Sequence, residues 1–284
     1  MHLNRRDFLK LSAPAICLPV ISVVQTSEIG LIETYRAFSP KTDGKAMLND
    51  TSKCIGCRTC EAACQRQNKT SYSNAIVKKL DTNGKEGNLF CKLQCMHCTE
   101  ATCVKVCPAG ALKQHELGFI DYDKDKCIGC GYCVEFCPFQ VPRLSGSTLT
   151  GVQKMDKCNF CADRVANNQQ PACAEACPVG AITFGDHDQL VVEGRERVEM
   201  LKKAHPNAML YGENGLEGLH VMYVLQEPAD VYGLPKDPRV PLVATIQQGI
   251  FRPLTWIVWG AVTAGLALNV LVARARQIRK KEES

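Results

Sequence analysis

The sequence lacks the marks of substrate chemistry. No H-E-x-x-H pair, no nucleotide fingerprint and no Ser/His/Asp order is present, so zinc hydrolysis, nucleotide-dependent transfer and triad catalysis find no support. It also lacks a basic pattern interleaved with aromatics. Aromatic residues make up 6% and the formal charge is only +5, which leaves nucleic-acid binding without a footprint. Charge-free stretches are scarce, and one run, residues 254–273, is long enough to cross a bilayer. At 284 residues and 45% hydrophobic content, the chain has room for one large or two small domains with a core.

Cysteine is what the sequence has in excess, with 18 residues. Cys127, Cys130 and Cys133 stand at C-x2-C-x2-C spacing, followed by Cys137 and Pro138. This is the spacing that holds a cubane iron-sulfur cluster: three thiolates two residues apart wrap one face, and Gly129 and Gly131 let backbone amides point at the sulfurs. Cys137 lies about one helical turn further on and faces away, so it serves a different cluster. Such a run implies partner runs. Cys54, Cys57, Cys60 and Cys64 repeat the spacing, and Cys95, Cys98, Cys103 and Cys107 repeat it with a four-residue gap before the third cysteine. Cys158, Cys161, Cys173 and Cys177 repeat it with an eleven-residue gap. Pro108, Pro138 and Pro178 close three runs, and Gln65 stands in that place in the first. Sixteen of the 18 cysteines fall into four sets of four, the arithmetic of four [4Fe-4S] clusters. At roughly −2 per oxidised cluster with its thiolates, the +5 chain becomes a loaded protein of about −3.

Other uses of cysteine fit poorly. A tetrahedral zinc site wants two C-x2-C pairs or added histidines, and has no place for a third cysteine two residues on. Disulfides need spaced loops, which cysteines at this density do not close.

Along the chain, Arg5 and Arg6 precede an apolar segment, residues 11–24, broken by Pro14 and Pro19. Residues 1–27 read as a twin-arginine export signal, with an apolar part too short to span a membrane. No clear A-x-A follows. Twin-arginine export moves folded proteins, which suits clusters inserted in the reducing cytoplasm. Cys17 is an apolar filler within the signal. Residues 28–50 form a polar lead-in segment. Residues 71–88 read as an insertion carrying a short strand at 75–78, and strands are expected at 88–93, 118–123 and 181–185. Cys91 stays outside the ligand sets, and His97 takes a place at the surface or beside the ligands. The fold class is α+β, with two tandem ferredoxin-like dicluster modules over residues 51–185. Residues 186–204 suggest an amphipathic helix and 205–249 an extended arm, so that 186–249 is a helix with a partner-binding arm. Residues 250–273 hold the single transmembrane helix, with Trp256 and Trp259 near its start and Asn269 within it. Arg274, Arg276, Arg279, Lys280 and Lys281 follow in the basic tail 274–284, against Arg252 alone before the span. The positive-inside bias then puts the C-terminus in the cytoplasm and the cluster domain in the periplasm, on a single-pass protein of the inner membrane.

With C-M-H-C at 95–98, I-G-C-G-Y-C at 128–133 and C-N-F-C-A-D-R-V at 158–165, the chain resembles the four-cluster iron-sulfur subunits of molybdopterin oxidoreductases and membrane-bound hydrogenases. Residues 210–213, 220–225 and 232–238 look like the beta subunit of respiratory formate dehydrogenase and the iron-sulfur subunit of the hydrogenase-2 type. The resemblance covers about residues 50–275. It implies ligand exchange between runs. One cluster would be held by Cys54, Cys57, Cys60 and Cys177, a second by Cys95, Cys98, Cys103 and Cys137. A third would be held by Cys127, Cys130, Cys133 and Cys107, and a fourth by Cys158, Cys161, Cys173 and Cys64. Spacing alone establishes only that exchange occurs.

The expected role is therefore non-catalytic: electron transfer between a catalytic subunit and an integral, quinone-reactive membrane subunit. An export signal on this chain favours a [NiFe] hydrogenase partner, and the 205–238 stretch points to a formate dehydrogenase. The alternative is a membrane-tethered polyferredoxin exchanging electrons with soluble carriers, for which the long extension after the clusters has no use.

Overall fold

The computed structural model describes residues 44–80, 89–146, 153–246 and 252–282. The twin-arginine stretch with Cys17, the lead-in segment up to residue 43, and residues 81–88 of the expected insertion lie outside the described residues, as do the side chains of Trp256 and most of the basic tail. In chain order the described elements are β1 (Lys45–Asp50), α1 (Thr59–Asn68), β2 (Ile76–Leu80), β3 (Leu89–Leu93), α2 (Thr102–Lys105), β4 (Leu112–Gln114), β5 (Ile120–Tyr122) and α3 (Tyr132–Glu135). There follow β6 (Arg143–Gly146), β7 (Gln153–Asp156), α4 (Ala162–Ala166), α5 (Ala172–Glu175), β8 (Ile182–Asp186), α6 (His187–Lys202), β9 (Met209–Tyr211), β10 (Val221–Leu225), α7 (Leu242–Ile246) and α8 (Arg252–Glu282).

A four-stranded sheet in the order β8-β1-β10-β9 carries the structure. Its central pair, β1 and β10, is parallel, with Met47 opposite Val221 and Asp50 opposite Val224; the outer pairings are antiparallel. Parallel strands are normally buried on both faces and read as unbroken apolar runs, and Val221 to Leu225 is such a run, closed to solvent throughout. One face meets α6: Leu190 and Val198 pack on Ala46, Leu48, Met222 and Val224. Gly194 lets the helix come this close, because a Cβ there would stand 2.7 Å from Leu210 Cδ1. The other face, with Met47, Val221, Tyr223 and Leu225, meets the cysteine-bearing segments. Arg197 of α6 donates to Asp50 at 2.8 Å, tying the helix to the end of β1 just before Cys54.

Residues 205–249, expected as an extended arm, therefore supply two strands of this sheet. Their short strands carry no alternation because both faces of β10 are covered, and the intervening turns break the pattern. The strands expected at 75–78, 88–93, 118–123 and 181–185 correspond to β2, β3, β5 and β8, and the helix within 186–204 to α6. The pairs β2-β3, β4-β5 and β6-β7 form separate hairpins.

In four helices the second residue is a third-position cysteine: Cys60 in α1, Cys103 in α2, Cys133 in α3 and Cys173 in α5. Helix α1 runs for 10 residues, whereas α2, α3 and α5 run for 4 each. The prolines account for the difference. Proline has no N–H and pushes the residue before it out of the helical region, so Pro108, Pro138 and Pro178 stop their helices. Gln65 leaves α1 free to continue through Cys64.

Helix α8 is 31 residues long, about 46 Å at the standard rise. Within it residues 257–275 have a mean hydropathy of 1.6 and bury none of their side chains in the protein. Among the described residues this is the one helix long and apolar enough to cross a membrane. An all-round apolar helix with no protein cover suits lipid surroundings.

Cutting Leu48 to Ala removes the centre of the layer between sheet and α6. The expected loss is about 2–5 kcal/mol, read as a lower unfolding temperature of the purified complex; an unchanged temperature would show that this layer is not what holds the cysteine scaffold.

Candidate iron-sulfur sites

The first C-x-x-C of each run bends the same way. Its third residue is left-handed in all four runs: Gly56 at φ 72°, His97 at 47°, Gly129 at 72° and Phe160 at 59°. In three of the runs the bend turns the N–H of that residue toward the first sulfur. Phe160 N–H donates to Cys158 Sγ at 3.4 Å, and Gly56 and Gly129 do the same for Cys54 and Cys127. Two runs use glycine, which accepts this conformation freely. A Cβ on Gly129 would stand 2.1 Å from the Gln153 carbonyl oxygen, so side-chain space is also denied there. The other two runs hold His97 and Phe160 in the same conformation at a cost of about 1–2 kcal/mol each. Packing holds them: both are fully buried and meet edge to face at 4.8 Å, with Phe119 stacked on Phe160 at 5.3 Å. His97 thus sits in the core and not at the surface. Its Nδ1 accepts from Ile120 N–H at 3.0 Å, and burial holds its pKa well below the usual histidine value.

A second set of N–H groups follows the last cysteines. Ala111 donates to Cys107 Sγ and Ala181 to Cys177 Sγ, each at 3.3 Å and each four residues after its cysteine. Val141 stands in the same relation to Cys137. Prolines at the next position force this turn, which exposes the amide to the sulfur.

The runs converge in mixed groups. Cys54, Cys57 and Cys60 line one hollow with Cys177, more than a hundred residues away in sequence. Cys158, Cys161 and Cys173 line another with Cys64, and Cys127, Cys130 and Cys133 a third with Cys107. Cys98, partly buried, lies within electrostatic reach of Cys95, Cys103 and Cys137. Electrostatic neighbours link the groups in series: Cys173 acts on Cys60, Cys95 on Cys158, and Cys133 on Cys103. At the two ends of the series Cys57 and Cys130 are exposed, beside the exposed side chains of Ile55 and Ile128.

Burial lifts the thiol pKa of Cys60, Cys133 and Cys161 to about 11, and neighbouring thiols add to it. Cys57, held by the Thr59 hydroxyl at 3.4 Å, is shifted downward. Cys127 is also shifted downward: burial opposes ionisation, and the N–H of Met155, the Tyr122 hydroxyl and the Gly129 N–H outweigh it. The buried thiols whose pKa is raised, Cys60, Cys133 and Cys161 among them, ionise only around a cationic core. All the cysteines among the described residues are free thiols, and no group of three His, Cys, Asp or Glu there is placed to hold a single metal ion. Sulfur-only donors in fours, with amides aimed at them, fit [4Fe-4S] clusters. Cys91 lies on β3 outside all four groups, and burial pushes it up to about 12.

Two buried cations went unread in the sequence. Lys92 Nζ lies 3.3 Å from Cys173 Sγ, and Lys157 Nζ donates to the carbonyls of Ile120 at 2.8 Å and Cys158 at 2.9 Å. Burial works against the charge on Lys92, yet the thiolates of Cys173, Cys60 and Cys158 hold its pKa above the ordinary value. A lysine among polar residues carries no sign of such a position; only its place one residue after Cys91 in an expected strand hinted at burial on one face.

Comparison with known proteins agrees with this chemistry. A family model described as "4Fe-4S dicluster domain" matches residues 87–187, and one described as "4Fe-4S binding domain" matches residues 51–68. The chain is 36% identical over 277 residues to a formate dehydrogenase iron-sulfur subunit of Haemophilus influenzae, covering 86% of each. It is 29% identical to the hydrogenase-2 operon protein HybA of Escherichia coli O157:H7, covering 96% of this chain and 95% of that one. To the thiosulfate reductase electron transfer subunit PhsB of Salmonella typhi it is 39% identical, over 59% of this chain and 91% of the relative.

Gly129→Ala should lower bound iron per chain, because the added methyl group meets the Gln153 carbonyl as well as a left-handed backbone. Gly131→Ala, whose Cβ would stand 3.7 Å from Leu144 Cδ1, should keep its iron and lose only about 1–2 kcal/mol of stability. Equal iron contents in the two variants would show that the tight turn does not shape the site.

Proposed function

The chain belongs to the family of iron-sulfur electron-transfer subunits of respiratory oxidoreductases, and from that premise we propose that it is the wire of a periplasm-facing complex on the inner membrane. It carries no catalytic centre. Electrons pass between a catalytic subunit and a quinone-reactive membrane subunit through four [4Fe-4S] clusters, which supply the redox chemistry. The polypeptide fixes their spacing and sets their potentials through N–H donors, burial and charge.

The observation that carries this reading is the convergence of cysteines from different runs on shared hollows, in series. It supports the ligand sets Cys54, Cys57, Cys60 with Cys177; Cys158, Cys161, Cys173 with Cys64; Cys95, Cys98, Cys103 with Cys137; and Cys127, Cys130, Cys133 with Cys107. Taken in that order they make a line, within an α+β fold of two tandem dicluster modules over residues 51–185. Its ends are the exposed Cys57 and Cys130, each flanked by an exposed isoleucine suited to a partner surface. A twin-arginine signal over 1–27, a span within 250–273 and the basic tail 274–284 give one topology: clusters in the periplasm, C-terminus in the cytoplasm.

For the catalytic partner, 36% identity to a formate dehydrogenase subunit supports a molybdopterin enzyme. The longer match to HybA, over 96% of the chain, supports a [NiFe] hydrogenase. Purifying the complex gently from membranes through this subunit separates them: molybdenum or tungsten without nickel is the formate dehydrogenase outcome, nickel the hydrogenase outcome. Recovery as a lone subunit that exchanges electrons with soluble carriers would overturn the wire reading in favour of a tethered polyferredoxin.

The ligand exchange has its own test. Cys177→Ala and Cys54→Ala should remove the same component of the reduced EPR spectrum, while Cys161→Ala removes a different one. If Cys177→Ala and Cys161→Ala remove the same component, the fourth run keeps its own cysteine and the exchange is refuted.

A further inference from the structure

Lys92 lies at the junction of two cysteine groups. It lines the hollow of Cys54, Cys57, Cys60 and Cys177, and its Nζ is 3.3 Å from the Sγ of Cys173, which lines the next hollow. The side chain is buried, with 4% of its surface exposed. Its carbonyl accepts a hydrogen bond from the Tyr223 hydroxyl at 2.8 Å, which fixes the residue on the sheet. Among the described residues, the other hydrogen-bond partner of Nζ is Met47 Sδ at 3.4 Å, a thioether that carries no charge. Among the described residues no carboxylate pairs with it. A buried ammonium without an opposing charge is strongly unfavourable, so the charge opposite Lys92 has to come from sulfur.

Lys157 is placed differently. Its ammonium is also buried and lies within electrostatic reach of Cys103, but its hydrogen bonds go to two backbone carbonyls and not to a sulfur. The hollow of Cys107, Cys127, Cys130 and Cys133 has no lysine in its wall; Tyr122, Leu144 and Met155 are there instead. Lys154 nearby reaches out to Asp125 and the Lys124 carbonyl. One group pair therefore shares a buried cation held directly against sulfur, and among the described residues the far end of the series has none.

We propose that Lys92 is a shared counter-charge for the two clusters bound by Cys54, Cys57, Cys60, Cys177 and by Cys64, Cys158, Cys161, Cys173, raising the reduction potential of both. This rests on the ligand sets proposed above. Reduction adds one negative charge to a cluster, and a fixed cation beside it favours the reduced form, so the potential rises. Standing between two clusters, the same cation lessens the repulsion an electron on one exerts on the other.

The test is an EPR-monitored redox titration of the intact complex carrying wild-type, Lys92→Met or Lys92→Arg chains, with iron per chain measured in each. Methionine matches the length of the lysine stem without its charge. The expected result for Lys92→Met is unchanged iron and a fall of at least tenfold in the reduction equilibrium constant of two centres, about 59 mV for a one-electron couple. The other two centres stay where they are, and Lys92→Arg lies near the wild type. Unchanged midpoints for all centres in an iron-replete Lys92→Met complex overturn the proposal and leave the cluster reading intact. If Lys92→Met loses iron, retention by Lys92→Arg supports a charge requirement, and loss by both makes Lys92 a packing residue and overturns it. A wild-type complex without cubane signals sinks the ligand reading and this proposal together.

Discussion

Four sulfurs drawn from two distant runs have to meet around one hollow, and most of the structure answers to that demand. Cys177 reaches Cys54 because β8, which begins five residues after it, pairs antiparallel with β1, which ends four residues before Cys54. Cys64 reaches Cys161 because α1 and α5 pack together, the contact that Ala63, Cys161 and Ala172 share. The central sheet is thus a clamp that brings the first and last runs together. Helix α6 covers the face of the clamp that holds no cysteines, and its ion pair to Asp50 anchors the strand leading into the first run.

Within each run the demand becomes local. In three runs a left-handed third residue turns an amide toward the first sulfur, and in the three runs with a proline after the fourth cysteine another amide is freed for the fourth sulfur. Glycine meets the first requirement without strain at positions 56 and 129. At 97 and 160 the same bend is held by burying His97 and Phe160 against each other, so two adjacent sites are supported by one aromatic contact. Hydrogen bonds to sulfur and burial are levers on cluster potential, so the devices that shape the fold also act on the electron carrier.

Much of this is legible in the sequence, and the reasons are physical. Ligand spacing is fixed by the size of the cluster, so the four runs stand out at once. Glycines at 129 and 131 announce a turn that tolerates little else, and the prolines mark where short helices stop. A charge-free 20-residue run is required by bilayer thickness. The parallel strand β10 stayed hidden because a strand buried on both faces shows no alternation, and its partner β1 lies some 170 residues away. Lys92 stayed hidden because composition places lysine at the surface by default; only the three-dimensional meeting of two cysteine groups gives it a counter-charge. The equivalence of His97 and Phe160 to glycine likewise appears only in the backbone, since a bulky residue is a poor sign of a left-handed bend.

Native mass spectrometry of this subunit released from its complex tests the central claim most directly. The account predicts a mass above that of the polypeptide by four [4Fe-4S] cores, about sixteen iron and sixteen sulfide per chain. A mass showing two cores or fewer, or zinc in their place, would contradict it.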